Sequence, residues 1–299
     1  MSSLPAWVDP DLYPFESRFL DTAPGRMHYV DEGTGHPVVF VHGGPTWSFL
    51  WRGAIRALRD RFRCIAPDLL GFGLSEQPPG FSYHPREQAR CLATLLAHLD
   101  VRDATLVVHD WGGPIGLAFA LEHPERVRDL VLFNTWLWSV RGTPRGELTG
   151  RLFASRLWAW LERRHSLSTR FFLPGVMGDR RRLAPDVHRH YLEPFRDPRS
   201  REPNVVLWRE ILGASDWLGS LWERRGRFAS KRALVVWGLA DRAFTRADLA
   251  RWREVLPHAR VETLPRAGHF VQEEEPEAVA RLLAGFLDGA AGGQGASPG

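Results

Sequence analysis

The chain of 299 residues has no run of about 18 consecutive apolar residues, so no segment is a candidate membrane span. Residues 1–14 lack a basic start followed by an apolar core. No secretory signal is therefore expected, and the cytoplasm is the expected compartment. Cysteine is scarce: Cys64 and Cys91 are the only two, which excludes a disulfide framework and zinc-ligand spacing. Both lie in apolar patterns and are expected to be buried free thiols. Lysine is scarcer still, with Lys231 alone. The calculated isoelectric point is 9.6 but the net charge is only +4, carried by scattered arginines. No nucleic-acid motif accompanies them, so neither nucleic acid nor a membrane is an expected partner.

Tryptophan, in contrast, is abundant. Thirteen large rings, each with one N–H donor, point to an apolar pocket furnished with indole donors. Apolar, β-branched runs at 38–41, 64–67, 106–108, 127–133 and 233–237 read as buried strands separated by helical patterns. Two short strands around Pro24-Gly25 precede them, and a last strand at 260–264 is followed by a helix over about 276–287. This alternation predicts an α/β fold with a mostly parallel sheet flanked by helices. The rhythm stops after Trp138 and resumes near Ala233. Residues 139–227 are helical in pattern, rich in Arg and Trp, and read as a cap inserted after the sixth strand, over the strand ends. The expected division is core 1–138, cap 139–227, core 228–288, and a tail of small residues, 289–299, expected to be disordered.

The chain is organised around residues 104–118. A buried strand ends at Val108-His109, a helix begins near Gly112, and Asp110 stands between them. A strand that turns at once into a helix throws one side chain out at the apex, the geometry of a nucleophile elbow. Gly112 and Gly113 let the helix pack close, and the amides at a helix start favour negative charge. A carboxylate placed there can attack carbon and form an ester. Asp110 alone could equally be a helix cap, Asp241 could cap another helix, and His269 could be a buried structural histidine. Each, however, follows a strand's C-terminal end, and the chain order Asp110, Asp241, His269 is that of nucleophile, acid and base in α/β-hydrolases. The loop His42-Gly43-Gly44-Pro45-Thr46-Trp47 sits where that fold builds half of an oxyanion hole. Gly71-Phe72-Gly73 lacks the third glycine of a dinucleotide fingerprint and reads as a tight loop. His188-Arg189-His190 has no further ligands for a metal. No cofactor and no metal are expected.

These motifs resemble the haloalkane dehalogenases of the α/β-hydrolase superfamily. The resemblance runs from about Tyr13 to Leu287 and is weakest in the cap. It is carried by His42-Gly43-Gly44-Pro45-Thr46-Trp47-Ser48, Asp68-Leu69-Leu70-Gly71-Phe72-Gly73-Leu74-Ser75, Val108-His109-Asp110-Trp111-Gly112-Gly113 and Ala267-Gly268-His269-Phe270-Val271-Gln272-Glu273. It implies an eight-stranded sheet, Asp110 as nucleophile, His269 as base and Asp241 as acid. Trp111 is implied as an indole donor to the leaving halide, with the backbone N–H groups of Gly44 and Trp111 as the oxyanion hole. The implied reactants are a small hydrophobic halogenated substrate and water, yielding alcohol, halide and a proton. One departure is Gly44: many members carry Asn there as the second halide donor. A cap tryptophan is the implied substitute, Trp138 first, then Trp158, Trp160 and Trp208. The rival readings are an epoxide hydrolase with the same Asp, for which the cap offers one tyrosine, Tyr191, where two are usual, and a non-catalytic hydrolase-fold receptor for a small ligand.

Overall fold

The computed structural model describes residues 4–291. The strands are β1 (Arg18–Asp21), β2 (Arg26–Glu32), β3 (Pro37–Val41), β4 (Arg63–Pro67), β5 (Ala104–His109), β6 (Val127–Phe133), β7 (Arg232–Gly238) and β8 (Arg260–Leu264). They form one sheet in the order β1-β2-β4-β3-β5-β6-β7-β8. β1 and β2 pair antiparallel at one edge, and from β4 onward the sheet is parallel.

The helices of the core are α1 (Arg52–Leu58), α2 (Pro85–His98) and α3 (Gly112–Glu122), and, later in the chain, a second group described below. Between β6 and β7 lie α4 (Pro144–Phe153), α5 (Arg156–His165), the single turn α6 (Leu173–Gly175), α7 (Pro185–Leu192), α8 (Glu202–Gly213) and α9 (Ser215–Glu223). After β7 come α10 (Arg246–Val255), the short α11 (Val271–Glu274) and α12 (Pro276–Ala291). The last helix runs past the expected end at Leu287, so Gly289 to Ala291 are helical and not part of a disordered tail. The remainder of that expected tail, 292–299, lies outside the described residues. No helix among the described residues is long and apolar enough to cross a membrane.

The central strands are buried along their whole length because both faces of the sheet are covered. Side chains alternate between the two faces at period two. Val39, Val41, Leu106, Val108, Leu130, Leu132 and Val235 pack on the side of α2 and α3, and Val38, Phe40, Val107, Val131, Phe133, Leu234 and Val236 on the side of α1 and α12. Helix α3 is buried from Gly112 to Leu121, which explains why it shows no polar face. Cys64 and Cys91 are free and buried, as expected; burial pushes their thiols up to about 12 and about 11.

A buried polar knot fixes the loops at the C-terminal ends of β3 and β4. His28 Nδ1 and Asp68 Oδ2 lie 2.8 Å apart with both side chains fully buried. Asp68 also accepts from the backbone N–H of Ser48 at 2.7 Å and of Leu74 at 2.8 Å. His42 donates from Nδ1 to the Gly43 carbonyl and accepts the Leu69 N–H at Nε2, both at 2.9 Å; burial holds it neutral, below its usual range. The 43–48 loop, with the Gly44 amide, is thus tied to the loop after β4. Asp68→Ala would leave His28 Nδ1 buried without its partner, along with two amides. A loss of roughly 3–5 kcal/mol is expected in urea unfolding, whereas Asp31→Ala, removing the partly exposed partner of Arg63, is expected to cost far less.

Candidate active site

Asp110 sits directly after the buried strand β5 and before α3, with φ at +50°. That left-handed conformation is rare for a residue with a Cβ and is held by its surroundings. Its N–H donates to the Asn134 carbonyl at 3.2 Å, and its carbonyl accepts the Thr135 hydroxyl at 2.6 Å. The close approach of α3 to the sheet requires glycine: a Cβ on Gly112 would strike the Val41 carbonyl, and one on Gly113 the Thr135 hydroxyl.

The Asp110 carboxylate accepts the Gly44 N–H on Oδ2 at 3.0 Å and is also bonded by the Trp111 N–H. The two amides expected to form the oxyanion hole therefore converge on the expected nucleophile. Its other oxygen, Oδ1, lies 3.8 Å from His269 Nε2. His269 Nδ1 donates to Asp241 Oδ2 at 2.9 Å, which leaves Nε2 facing Asp110. Asp241 is buried and fully engaged: Oδ2 also accepts Asn134 Nδ2 at 2.8 Å and Oδ1 accepts the Ala243 N–H at 2.7 Å. Asn134 is locked in turn by the Gly238 N–H at 2.8 Å. It is a positioning residue for Asp241 that the motifs did not mark.

Burial dominates the electrostatics. It pushes the Asp110 carboxyl up to about 6, against the opposing pull of His269 and the two amides. Burial alone would lower His269, but the Asp241 charge and hydrogen bond, with Asp110 behind them, outweigh it and hold His269 above its ordinary value. His109 is buried beside it and donates from Nε2 to the His269 carbonyl at 2.9 Å; burial and the neighbouring histidine keep it well below its usual range, hence neutral. The His269 loop is also tied to the segment between β6 and β7. The His269 N–H donates to the Val176 carbonyl at 2.9 Å, and Glu274 bridges the amides of Gly268 at 2.7 Å and Asp179 at 3.0 Å.

Asp110 and His269 open into a cavity of about 520 Å3. Its walls include Trp111, Trp136, Trp138, Phe153, Phe172, Val176, Leu207, Ile211 and Phe244; Asn204 is among its polar lining residues, with Ser168, Thr149, Arg242 and others. Trp111 stands edge-on to Trp136 at 4.6 Å between ring centroids. Trp138, the first expected substitute donor, lines the cavity but packs edge-on against Trp222 at 5.2 Å, with the Arg251 guanidinium 5.0 Å over its ring. Trp208 spends its N–H on Ser168 Oγ at 2.6 Å, Trp160 is 56% exposed, and Trp158 is not among the lining residues. Tyr191 is fully buried and donates its hydroxyl to Glu273, itself paired with Arg52, so this phenol does not reach the cavity. Asn204 was missed by motif reading, since it lies mid-pattern on α8. The chain contains only two asparagines, Asn134 and Asn204, and both sit at this site.

An elbow after the fifth strand, an acid after the seventh and a histidine after the eighth, on a sheet of this order, define an α/β-hydrolase. The alpha/beta hydrolase fold family matches over residues 36–276. Haloalkane dehalogenase 2 of Mycobacterium tuberculosis is 41% identical over 92% of this chain and 96% of the relative. A cis-3-alkyl-4-alkyloxetan-2-one decarboxylase of Xanthomonas campestris is 35% identical over 92% of this chain and 97% of its own. The crystal structure of haloalkane dehalogenase DbeA from Bradyrhizobium elkani superposes with a TM-score of 0.85 at 27% identity, covering 94% of this chain and all of that one. The chain belongs to the α/β-hydrolase family and, within it, to the haloalkane dehalogenases.

The raised Asp110 pKa has a consequence for stability. An unfolded aspartate titrates near 4, so between about pH 4 and 6 the folded state binds more protons and stability falls as pH rises. Above about pH 6 the buried charge costs roughly 3 kcal/mol. Asp110→Asn keeps the shape and removes the charge. It is expected to be more stable than the parent at pH 8 by thermal unfolding, with the difference shrinking towards pH 4.

Proposed function

We propose that the protein is a cytoplasmic haloalkane dehalogenase that hydrolyses carbon–halogen bonds of small hydrophobic haloalkanes through an alkyl ester on Asp110. The observation that carries this is the Asp110 carboxylate itself. Its Oδ2 is held by the Gly44 amide, the Trp111 N–H also favours its charge, and Oδ1 lies 3.8 Å from His269 at the mouth of the cavity. Asp110 Oδ1 attacks the halogen-bearing carbon in line; a C–O bond forms, the C–X bond breaks, and halide leaves with the electron pair. The Trp111 indole N–H meets the developing halide charge in surroundings where a donor counts for more than in water. His269, oriented and charge-supported by Asp241, then takes a proton from water, which attacks the ester carbonyl. The oxyanion falls on Oδ2, where the Gly44 amide already points, with the Trp111 amide as its second donor. Collapse releases the alcohol and regenerates Asp110. Residues 139–227 act as the cap that closes the cavity over these groups and keeps it dry.

The epoxide-hydrolase reading needs a phenol to protonate the opening oxygen, and Tyr191, the one tyrosine of residues 139–227, is engaged with Glu273. A mere receptor has no use for an acid-oriented histidine facing a buried carboxylate. One further reading has a specific support: a relative that is an oxetanone decarboxylase aligns over 92% of this chain, and Gly44 offers no side-chain donor to a halide. On that reading a dialkyl oxetan-2-one, a strained four-membered lactone, loses carbon dioxide in the same cavity and leaves an alkene.

Bromide and proton release from 1-bromobutane or 1,2-dibromoethane tests the proposal; an alkene from a cis-dialkyl oxetanone without any bromide release would replace it with the second reading. His269→Phe is expected to form the ester and stop there, so intact-protein mass spectrometry should show one alkyl group added at Asp110, and Asp110→Ala should show neither adduct nor turnover. The pH dependence follows from the two shifted groups. Ester formation needs ionised Asp110 and is expected to fall as pH drops through about 6. Ester hydrolysis needs neutral His269, whose pKa is raised above its ordinary value, so it fails at a higher pH. In the window between, the unmutated enzyme is expected to accumulate ester in rapid-quench experiments.

A further inference from the structure

Gly44 leaves the dehalogenase reading with one side-chain donor, Trp111, for the departing anion. The space in front of Gly44 is not empty. An ideal Cβ built on it would lie 2.9 Å from Leu207 Cδ1 and 3.8 Å from Asn204 Oδ1. Helix α8 therefore carries an amide into the region that a longer side chain at position 44 would enter from the opposite wall. Asn204 is 2% exposed and lines the cavity with Asp110 and Trp111. Its Nδ2 has no hydrogen-bond partner, a costly state for a buried N–H group. A half-turn of the amide is sterically neutral, since oxygen and nitrogen are nearly the same size. It brings the unpartnered NH2 to the place Oδ1 occupies, beside the Gly44 amide that bonds Asp110. An amide whose donors lack any protein acceptor, beside a site where an anion is released, has that anion as its natural acceptor.

We infer that Asn204 is the second leaving-group donor: its side-chain N–H, with the Trp111 indole, forms the halide site that Gly44 cannot complete. This inference rests on the dehalogenase reading. It transfers the donor from the wall next to the elbow to the helix of the cap. It also gives a use to an asparagine at this buried position in a chain that has the residue only twice. Of the tryptophans near it, Trp208 has spent its N–H on Ser168 and Trp138 packs with Trp222 under Arg251, while the unpartnered Trp136 N–H is the rival that the test below includes.

The test is bromide binding to the resting full-length protein, followed by tryptophan fluorescence, with rapid-quench kinetics on 1-bromobutane beside it. Asn204→Leu keeps the volume and removes the donor. Bromide affinity and the rate of ester formation are each expected to fall about 10- to 100-fold, the effect of one N–H to a charged acceptor. Ester hydrolysis should change less than twofold, and the melting temperature should hold or rise, since an unpartnered amide has left the interior. A merely structural asparagine would give the opposite signs, losing stability without a selective loss of bromide. Asn204→Ala serves if the leucine variant misfolds, and Gly44→Asn on the alanine background should recover part of the bromide affinity. Bromide affinity and ester formation within twofold of the parent in a folded Asn204 variant would overturn the assignment and pass it to Trp138→Phe and Trp136→Phe in the same assays. If the unmutated protein binds no bromide and shows no Asp110 adduct, the dehalogenase reading itself has failed, a result separate from equal binding by parent and variant.

Discussion

The structure depends on keeping one negative charge, on Asp110, inside an apolar enclosure. A carboxylate there is unfavourable, which is why its pKa rises to about 6. Its backbone sits in a left-handed conformation that few residues tolerate. What surrounds it reads as compensation. The Gly44 amide meets one oxygen, His269 faces the other, and hydrogen bonds from Thr135 and to Asn134 hold the strained peptide in place. Even the remote knot of His28, Asp68 and His42 serves this end, because it fixes the loop that supplies the Gly44 amide. A charge poorly solvated at rest but well directed is what displacement at saturated carbon calls for.

The two halves of the proposed chemistry share a framework of rings. Trp111 stands against Trp136 at 4.6 Å, Trp136 stacks on Phe244 at 5.2 Å, and Phe244 tilts against His269 at 5.4 Å. The expected halide donor and the expected base are therefore the ends of one aromatic chain that passes beside Asp110. Orientation is passed along it by packing, which in a dense interior permits few alternatives. Phe244 lies on the loop that follows Asp241, so Asp241, His269 and the Trp111 indole share a single mechanical support.

Much of this was legible in the sequence. Strands 38–41 and 233–237 were evident because buried strands are written as near-continuous apolar, β-branched runs. The elbow was legible only jointly: Asp110 by itself could equally cap a helix, but with Asp241 and His269 it follows the fold's order of nucleophile, acid and base along the chain. What could not be read is what the cap brings into the cavity. Asn204 sits on α8 amid residues of no distinctive pattern, and its approach to Gly44 is set by how the cap packs, across 160 positions of sequence. Tyr191 had to be located before its hydroxyl could be set aside. Asn134 was visible only as a strand end; its role comes from two neighbouring strands delivering it to Asp241. The helix after Pro276 outran its expected end because Ala290 and Ala291 are strong helix formers that carry an established helix across the single Gly289.

The bond between the His269 amide and the Val176 carbonyl, reinforced by Glu274 between Gly268 and Asp179, joins the segment above the sheet to the loop that bears the base. The two parts are consequently not interchangeable modules. A β6–β7 insertion transplanted from a relative would have to bring or reproduce the stretch from Val176 to Asp179, or the His269 imidazole would lose its anchor while Asp110, Asp241 and His269 all remained in place. Recombination between family members should therefore succeed most often when one crossover lies before residue 176 and the next beyond residue 274, so that strap and histidine descend from the same parent.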